Sequence, residues 1–470
     1  VSQQAAPGRA SGIDSQGAGW SGVTPERGGA RVFTCFDCGQ FHRLESLAPG
    51  AEARCRRCHA VLRRRKRTTL EHPLAWAVAA LATFLVAAFL PFLRIDLYGR
   101  TNDIVMASGP RQLDNDGMWV VGLMVGVFTL AAPAARLLGL IYVLIGLRAR
   151  RAPPALHLVL RMVEALRVWS MLEVYLLGVF VAYTKLIDLA HVEVQTAGYA
   201  LGAGMLLVAA MDSSLDHEAA WQALEARGAV HDAAGVAGTL RHLRGTASPD
   251  GLIGCTHCGF VVHAPSGSLC PRCGGAVHAR KPNAMERCWA LLIAATILYI
   301  PANVFPILTA IKLGNGEPST IIGGVRQLAE AGMFPLAALV FFASLAVPII
   351  KLLSLALVLI STRMGARGWL RDRTNLFRVI EAIGRWSMID MFMLSILVAL
   401  VRLGFVASVT PGDGAIAFAC VVVLTMLASM AFDPRLMWDA ALSPPAAEPV
   451  RQARPSGRAP HPNLHPERHA

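Results

Sequence analysis

Residues 255–308 read Cys255-Thr256-His257-Cys258, then, after eleven residues, Cys270-Pro271-Arg272-Cys273, and then WALLIAATILYIPANVFPIL over 289–308. Two CxxC loops are thus followed by a run that can cross a bilayer, which takes roughly 20 apolar residues. The same order occurs earlier: Cys35-x-x-Cys38, Cys55-x-x-Cys58, and LAWAVAALATFLVAAFLPFL over 74–93. The chain therefore reads as a duplicated membrane protein whose halves each open with a small metal-binding head. That excludes most soluble enzymes.

Composition agrees. Of 470 residues 54% are hydrophobic and 16% charged, with a mean hydropathy of +0.48, as in a chain largely solvated by lipid. A net charge of +13 would suit nucleic acid, but the arginines sit in short clusters beside the apolar runs. That is the positive-inside pattern, and no nucleic-acid partner is expected. Eight of the ten cysteines lie in CxxC pairs, which in a reducing compartment read as metal ligands rather than disulfides. No cleavable signal peptide is visible ahead of the first apolar run.

Residues 1–30, rich in Gly, Ser, Ala and Gln, are expected to be disordered, as is the Pro-, Ala- and Arg-rich tail 441–470. Between them lie a first zinc ribbon (31–62), a first transmembrane repeat (68–212), a polar cytoplasmic linker (213–250), a second ribbon (251–278) and a second repeat (285–433). Spans are expected near 73–93, 117–147, 168–187 and 195–211, then near 288–309, 332–360, 386–404 and 414–432. Pro133 and Pro348 lie inside the two longest runs, where a kink is expected. The fold class is all-α and polytopic: two tandem four-helix repeats, each preceded by a ribbon. Arg148, Arg150 and Arg151 flank one loop, and Arg363, Arg367, Arg371, Arg373 and Arg378 crowd its counterpart. These loops are expected in the cytoplasm, with both ribbons and both termini.

The duplication is specific. Arg111, Gly117-Met118, Pro133 and Arg136 match Arg326, Gly332-Met333, Pro348 and Lys351 at one offset. Further on, Arg161, Glu164 and Trp169-Ser170-Met171 match Arg378, Glu381 and Trp386-Ser387-Met388. Even span counts make the repeats parallel, an arrangement common in transporters.

Four thiolates in two short loops can surround a tetrahedral ion at about 2.3 Å per bond. Cys35, Cys38, Cys55 and Cys58 form one such set; Cys255, Cys258, Cys270 and Cys273 form the other. Two zinc ions are expected, one per ribbon. Iron is less favoured, and redox-active dithiols are the alternative. A head of about 30 residues cannot build a sufficient core, so the metal is its staple. Gly39, Gly259 and Gly274 follow second cysteines, where a tight turn favours glycine, and His59 takes the fourth such place. His42, His59, His257 and His263 read as surface histidines.

Charges within spans are costly and usually face the bundle interior or water. Lys351 lies twelve residues before Arg363, about 18 Å along a helix, too far for easy snorkelling. Asp390 sits about a turn inside its span. Lys351 and Asp390 are expected to share one polar site with Ser344, Ser387 and Thr425. Arg136, Glu173 and Ser170 are the first-repeat counterparts. Asn303, between Pro301 and Pro306, either lines a cavity or marks a simple kink. Three readings stay open for the charges: a lipid headgroup site with Lys351 on the phosphate, a proton relay, and a buried ion pair that fixes helix register.

The Trp-Ser-Met motif with an acid two residues on, the Gly-Met…Pro-x-x-Lys span and the paired CxxC heads resemble the paraquat-inducible protein A family. The second half is the closer match, with YIPANVFPIL (299–308), SLAVPIIK (344–351) and RWSMID (385–390). The resemblance covers about residues 31–440. It implies an inner-membrane protein that works with a periplasmic MCE-domain partner. Together they would move membrane phospholipids between inner and outer membranes, supporting envelope integrity without enzymatic chemistry. The first half departs from the pattern, with Arg136 for Lys351, Glu173 for Asp390 and Ala88 for Asn303. The halves are therefore not equivalent, and the second is expected to carry the chemistry. No GxxxxGK[ST], HExxH or GxSxG motif is present, so nothing points to ATP hydrolysis. The alternatives are a membrane-bound metal or redox sensor and a stand-alone small-molecule exporter.

Overall fold

The computed structural model describes residues 31–67, 70–97, 100–186, 191–245, 251–312, 315–384, 386–401 and 407–442. The expected disordered segment 1–30 and residues 443–470 of the tail lie outside the described residues. Helices occupy all eight expected span positions. Six are long and apolar enough to cross a membrane: Glu71–Phe89, Trp119–Gly146, Ala284–Val304, Ala337–Arg363, Leu370–Leu400 and Asp413–Ala431. Thr196–Ser214 joins them when counted with His217–Ala226, which continues at a 60° bend. Leu172–Thr184 is apolar but shorter. The protein is thus a multi-pass membrane protein built from a tandem repeat.

The two long spans run on through their prolines as single helices. Each widens into a π-helical turn just before the proline, Val127–Ala131 ahead of Pro133 and Phe342–Ala346 ahead of Pro348. Proline removes one backbone donor and presses on the carbonyl four residues back. A turn that carries an extra residue absorbs both defects, and the helix continues. Thr129 and Ser344 occupy those i−4 positions, and both are buried.

Two small sheets were not legible as such. Leu93–Leu97, Arg100–Ile104 and His191–Val194 pair antiparallel, with Leu93–Leu97 in the centre. Leu308–Lys312, Asn315–Ser319 and Ala407–Pro411 repeat this arrangement in the second half, with Leu308–Lys312 in the centre. The first span leaves a ribbon and ends at Phe89, so each sheet caps the bundle end opposite the ribbons. The expected linker 213–250 also folds, into helices His217–Ala226 and Ala233–Gly245. Asp216 caps the first by accepting the Ala219 N–H.

The repeats interlock around one helix. Every residue of Ile389–Leu400 is buried. Tyr175 of the first repeat meets Phe392 edge-on, with ring centroids 5.7 Å apart. A Cβ on Gly178 would stand 3.0 Å from the Phe392 Cβ, a tight contact that the absence of a side chain at this glycine avoids. Gly109 lies against Ser395 with no room for a side chain. Asn102, from the first sheet, donates to the carbonyls of Ala399 and Leu400, both at 3.0 Å, where a helix end leaves acceptors unpaired. Gly178→Leu should therefore overpack this seam and cost about 1–3 kcal/mol. Thermal unfolding of the detergent-solubilised chain measures this; an unchanged transition would contradict the described contact.

Candidate metal centres and intramembrane polar sites

The first ribbon holds each CxxC at the tip of a two-stranded hairpin. Arg31–Thr34 pairs with Phe41–Leu44, and Glu52–Arg54 with Val61–Arg64. The turns close by matching backbone bonds: Gly39 N–H to Cys35 O at 2.9 Å, and His59 N–H to Cys55 O at 2.9 Å. The residue after each second cysteine takes a left-handed φ: 74° at Gly39, 58° at His59, 72° at Gly259 and 68° at Gly274. Three of the four are glycine, and His59 adopts the conformation that glycine takes more readily.

All eight cysteines are buried, and the sulfurs of each set lie within 4.8 Å of one another. In the second ribbon Cys255 and Cys273 stand 3.7 Å apart, as do Cys258 and Cys270. Tetrahedral ligands about 2.3 Å from an ion are about 3.8 Å from each other. In the first ribbon the matching pairs, Cys35–Cys58 and Cys38–Cys55, are at 3.4 and 3.5 Å. Crowded sulfurs share protons unevenly. Hydrogen bonding with Cys35 pushes Cys55 down and Cys38 up, and hydrogen bonding between Cys255 and Cys258 lowers the former and raises the latter. Both sets can hold a metal ion. His42, read from sequence as a surface residue, instead places Nε2 3.2 Å from Cys55 Sγ. Its position opposite Phe33 in the hairpin puts it beside the cluster.

Each ribbon docks on the other repeat. In the first, Arg378 donates to Asp37 through Nε at 2.8 Å and Nη2 at 2.5 Å, and to the Cys58 carbonyl at 3.3 Å. Arg371 donates to the Arg57 carbonyl at 3.0 Å, and the Arg57 guanidinium lies 4.5 Å from the Trp438 ring. The cysteines themselves pack among Leu355, Phe377 and Phe432 of the second repeat. The second ribbon instead packs with Val143, Leu156 and Leu160 of the first repeat. There Arg161 donates to the Cys273 carbonyl at 3.3 Å. Arg161 and Arg378 are repeat equivalents, and each holds the carbonyl of the last cysteine of the opposite ribbon.

The linker helix His217–Ala226 ties the ribbons together. Glu218 and Glu225 meet Arg31 of the first ribbon at 3.3 and 2.9 Å. They also meet Arg272 of the second at 3.0 and 2.7 Å. Arg272 is only 1% exposed, between the rings of Trp221 and Phe260, each 5.5 Å away. A fully buried guanidinium requires such paired acids.

The expected polar site of the second repeat is buried but not joined by a direct bond at its cation. Lys351 is 2% and Asp390 7% exposed, and the Lys351 ammonium has no hydrogen-bond partner among the described residues. Ser344, Ser387 and Thr425 are buried, and the Thr425 hydroxyl donates to its own helix at the Val422 carbonyl. Asn303 is half-buried and donates to the Tyr299 carbonyl of its own helix at 2.8 Å. In the first repeat, Arg136, Ser170 and Glu173 line one cavity of about 280 Å³ together with Arg167 and Asp212. The last two were missed from sequence, because each lies at a helix end that reads as an interface position.

The paraquat-inducible protein A family model matches residues 70–225 and 285–441, once in each repeat. The intermembrane transport protein PqiA of Escherichia coli K12 is 31% identical over 412 residues, covering 87% of this chain and 96% of that protein. The lipophilic envelope-spanning tunnel protein A of the same organism is 30% identical over 406 residues, covering 86% and 91%. A probable intermembrane transport protein of Haemophilus influenzae is 25% identical over 416 residues, covering 87% and 96%. No solved structure matches the chain. The chain belongs to the paraquat-inducible protein A family.

Cys58→Ser should lower the bound metal to one ion per chain, counted by elemental analysis. Because the docking is crossed, hydrogen exchange should then rise in Leu370–Gly384 of the second repeat and not in the adjoining Glu71–Phe89. Equal protection of Leu370–Gly384 in both proteins would contradict the crossed arrangement.

Proposed function

We propose that this member of the paraquat-inducible protein A family is the inner-membrane component of a lipid transport system. It moves lipids between inner and outer membranes with a periplasmic MCE-domain partner and supports envelope integrity without enzymatic chemistry. The observation that carries the reading is the match along both repeats to proteins named for intermembrane transport and for a lipophilic envelope-spanning tunnel. Reduced, metal-ready thiols and the arginines beside them support a cytoplasmic placement of the ribbons. Four cysteine thiolates per ribbon favour zinc, one ion each, in a structural role.

Within this reading the second repeat supplies a polar site of Lys351, Asp390, Ser344, Ser387, Thr425 and Asn303. A buried ammonium in a span is costly and needs either a counter-charge or the loss of its proton. A passing phosphate provides the first and a proton relay to Asp390 the second. Both tie the charge state of the span to the movement of a lipid.

Lys351→Ala and Asp390→Ala should each impair envelope integrity, read as sensitivity to detergent and bile salts, with protein levels in the membrane normal. Full resistance in both variants would remove this site from the account.

A further inference from the structure

The polar cavity of the first repeat has a charge pattern that the second repeat does not reproduce. Arg136, Arg167, Ser170, Glu173 and Asp212 form its polar side, with Met205 among the apolar lining. Arg136 is 4% exposed, and its Nη2 donates to Asp212. The other Asp212 oxygen lies 3.9 Å from Arg167 Nε. Arg136 Nε is screened from solvent and has no partner among the described residues. An unmatched buried donor is costly, so the site is one acceptor short.

The second repeat shows what is specific here. A spacing of 217 residues carries Trp169-Ser170-Met171 onto Trp386-Ser387-Met388. The same spacing carries the caps Gln195 and Leu215 of one helix onto the caps Gly412 and Phe432 of its counterpart. It places Gly384 where Arg167 stands and Ser429 where Asp212 stands. The Ser429 hydroxyl is spent on its own helix, donating to Met426 O at 2.8 Å. A Cβ at Gly384 would stand 3.1 Å from the Lys351 ammonium. At the positions of Arg167 and Asp212 the second repeat thus carries neither a guanidinium nor an acid.

The first-repeat lining is neutral in sum, with two guanidiniums against Glu173 and Asp212. A simple anion gains little from such a lining. A zwitterion gains at both ends: a phosphate meets the guanidiniums and an ammonium meets the carboxylates. The volume lies at the low edge of small-molecule pockets, roughly 300–1,000 Å³, so it admits a headgroup and not acyl chains. Tyr199 and Leu206, on the same helix as Asp212, are exposed and offer apolar surface for the chains. Resting on the lipid-transport reading, we infer that the first repeat holds a preformed site for the phosphoethanolamine headgroup of a membrane phospholipid. The phosphate lies on Arg136 and Arg167, and the ammonium on Glu173 and Asp212.

The test is lipid binding to the purified full chain by native mass spectrometry. The probes are phosphatidylethanolamine, phosphatidylglycerol and soluble glycerophosphoethanolamine. Arg167→Gln and Glu173→Gln are the variants; both side chains are substantially exposed and neither should disturb folding. Phosphatidylethanolamine should bind the wild type at least about fivefold more tightly than phosphatidylglycerol. Arg167→Gln should weaken both lipids about tenfold, and Glu173→Gln should bring phosphatidylethanolamine down to the level of phosphatidylglycerol. Equal binding of the two lipids by the wild type, or unchanged binding by Arg167→Gln, overturns the site. Competition by glycerophosphoethanolamine as strong as by the lipid overturns the membrane source of the headgroup. Phospholipid bound equally by wild type and variants removes this site and leaves the transport reading standing. No phospholipid bound by any form removes both.

Discussion

Two equivalent arginines hold the structure in a crossed arrangement. Arg378 of the second repeat grips the first ribbon at Asp37 and the Cys58 carbonyl, and Arg161 of the first repeat grips the second ribbon at the Cys273 carbonyl. Both arginines reach the carbonyl of a ribbon's fourth cysteine, and Arg378 also holds Asp37 in the first loop. A ribbon too small for its own core would be folded by a bound metal ion, whose binding free energy is then folding free energy. Because the ribbons cross over, part of that free energy acts on the packing of repeat against repeat. The linker acids Glu218 and Glu225, shared between Arg31 and Arg272, close the same end of the bundle.

At the other end and through the centre, the clasp is steric. Helix Ile389–Leu400 is enclosed because Gly109 and Gly178 let it approach and because Asn102 occupies the carbonyls at its end. The helix that carries Asp390 therefore packs chiefly against the first repeat. Duplication here did not yield two independent bundles. The repeats diverged in charge at the positions where they kept their backbone: Arg136 with Asp212 on one side, Lys351 beside Gly384 on the other. The π-helical turns before Pro133 and Pro348 are common to both, which marks them as a feature of the repeat itself.

Much of this was legible in the sequence, for reasons that are local. CxxC spacing dictates the sulfur clusters, apolar length dictates the spans, and a fixed offset dictates the repeat. The ribbon hairpins could be read through Gly39, Gly259 and Gly274, whose left-handed backbone the tight loops need. What escaped depends on tertiary contact. The strands around Leu93–Leu97 and Leu308–Lys312 carry Arg, Asp and Lys among apolar residues and pair with segments far along the chain. His42 looked like a surface residue because nothing local shows a hairpin folding it onto Cys55. In the first half, Arg136, Ser170 and Glu173 share a cavity with Arg167 and Asp212, which arrive from two other helices. The crossed docking left no sequence signal beyond the repeat-equivalent arginines.

In the proposed function the bundle handles lipid in company with a periplasmic partner. The most direct measurement is gentle purification of the full chain from its native membranes, with mass spectrometry of everything that accompanies it. The account predicts an MCE-domain protein together with enriched phospholipid. A cytoplasmic regulator with no lipid enrichment would contradict it and would make the ribbons the working part of a sensor.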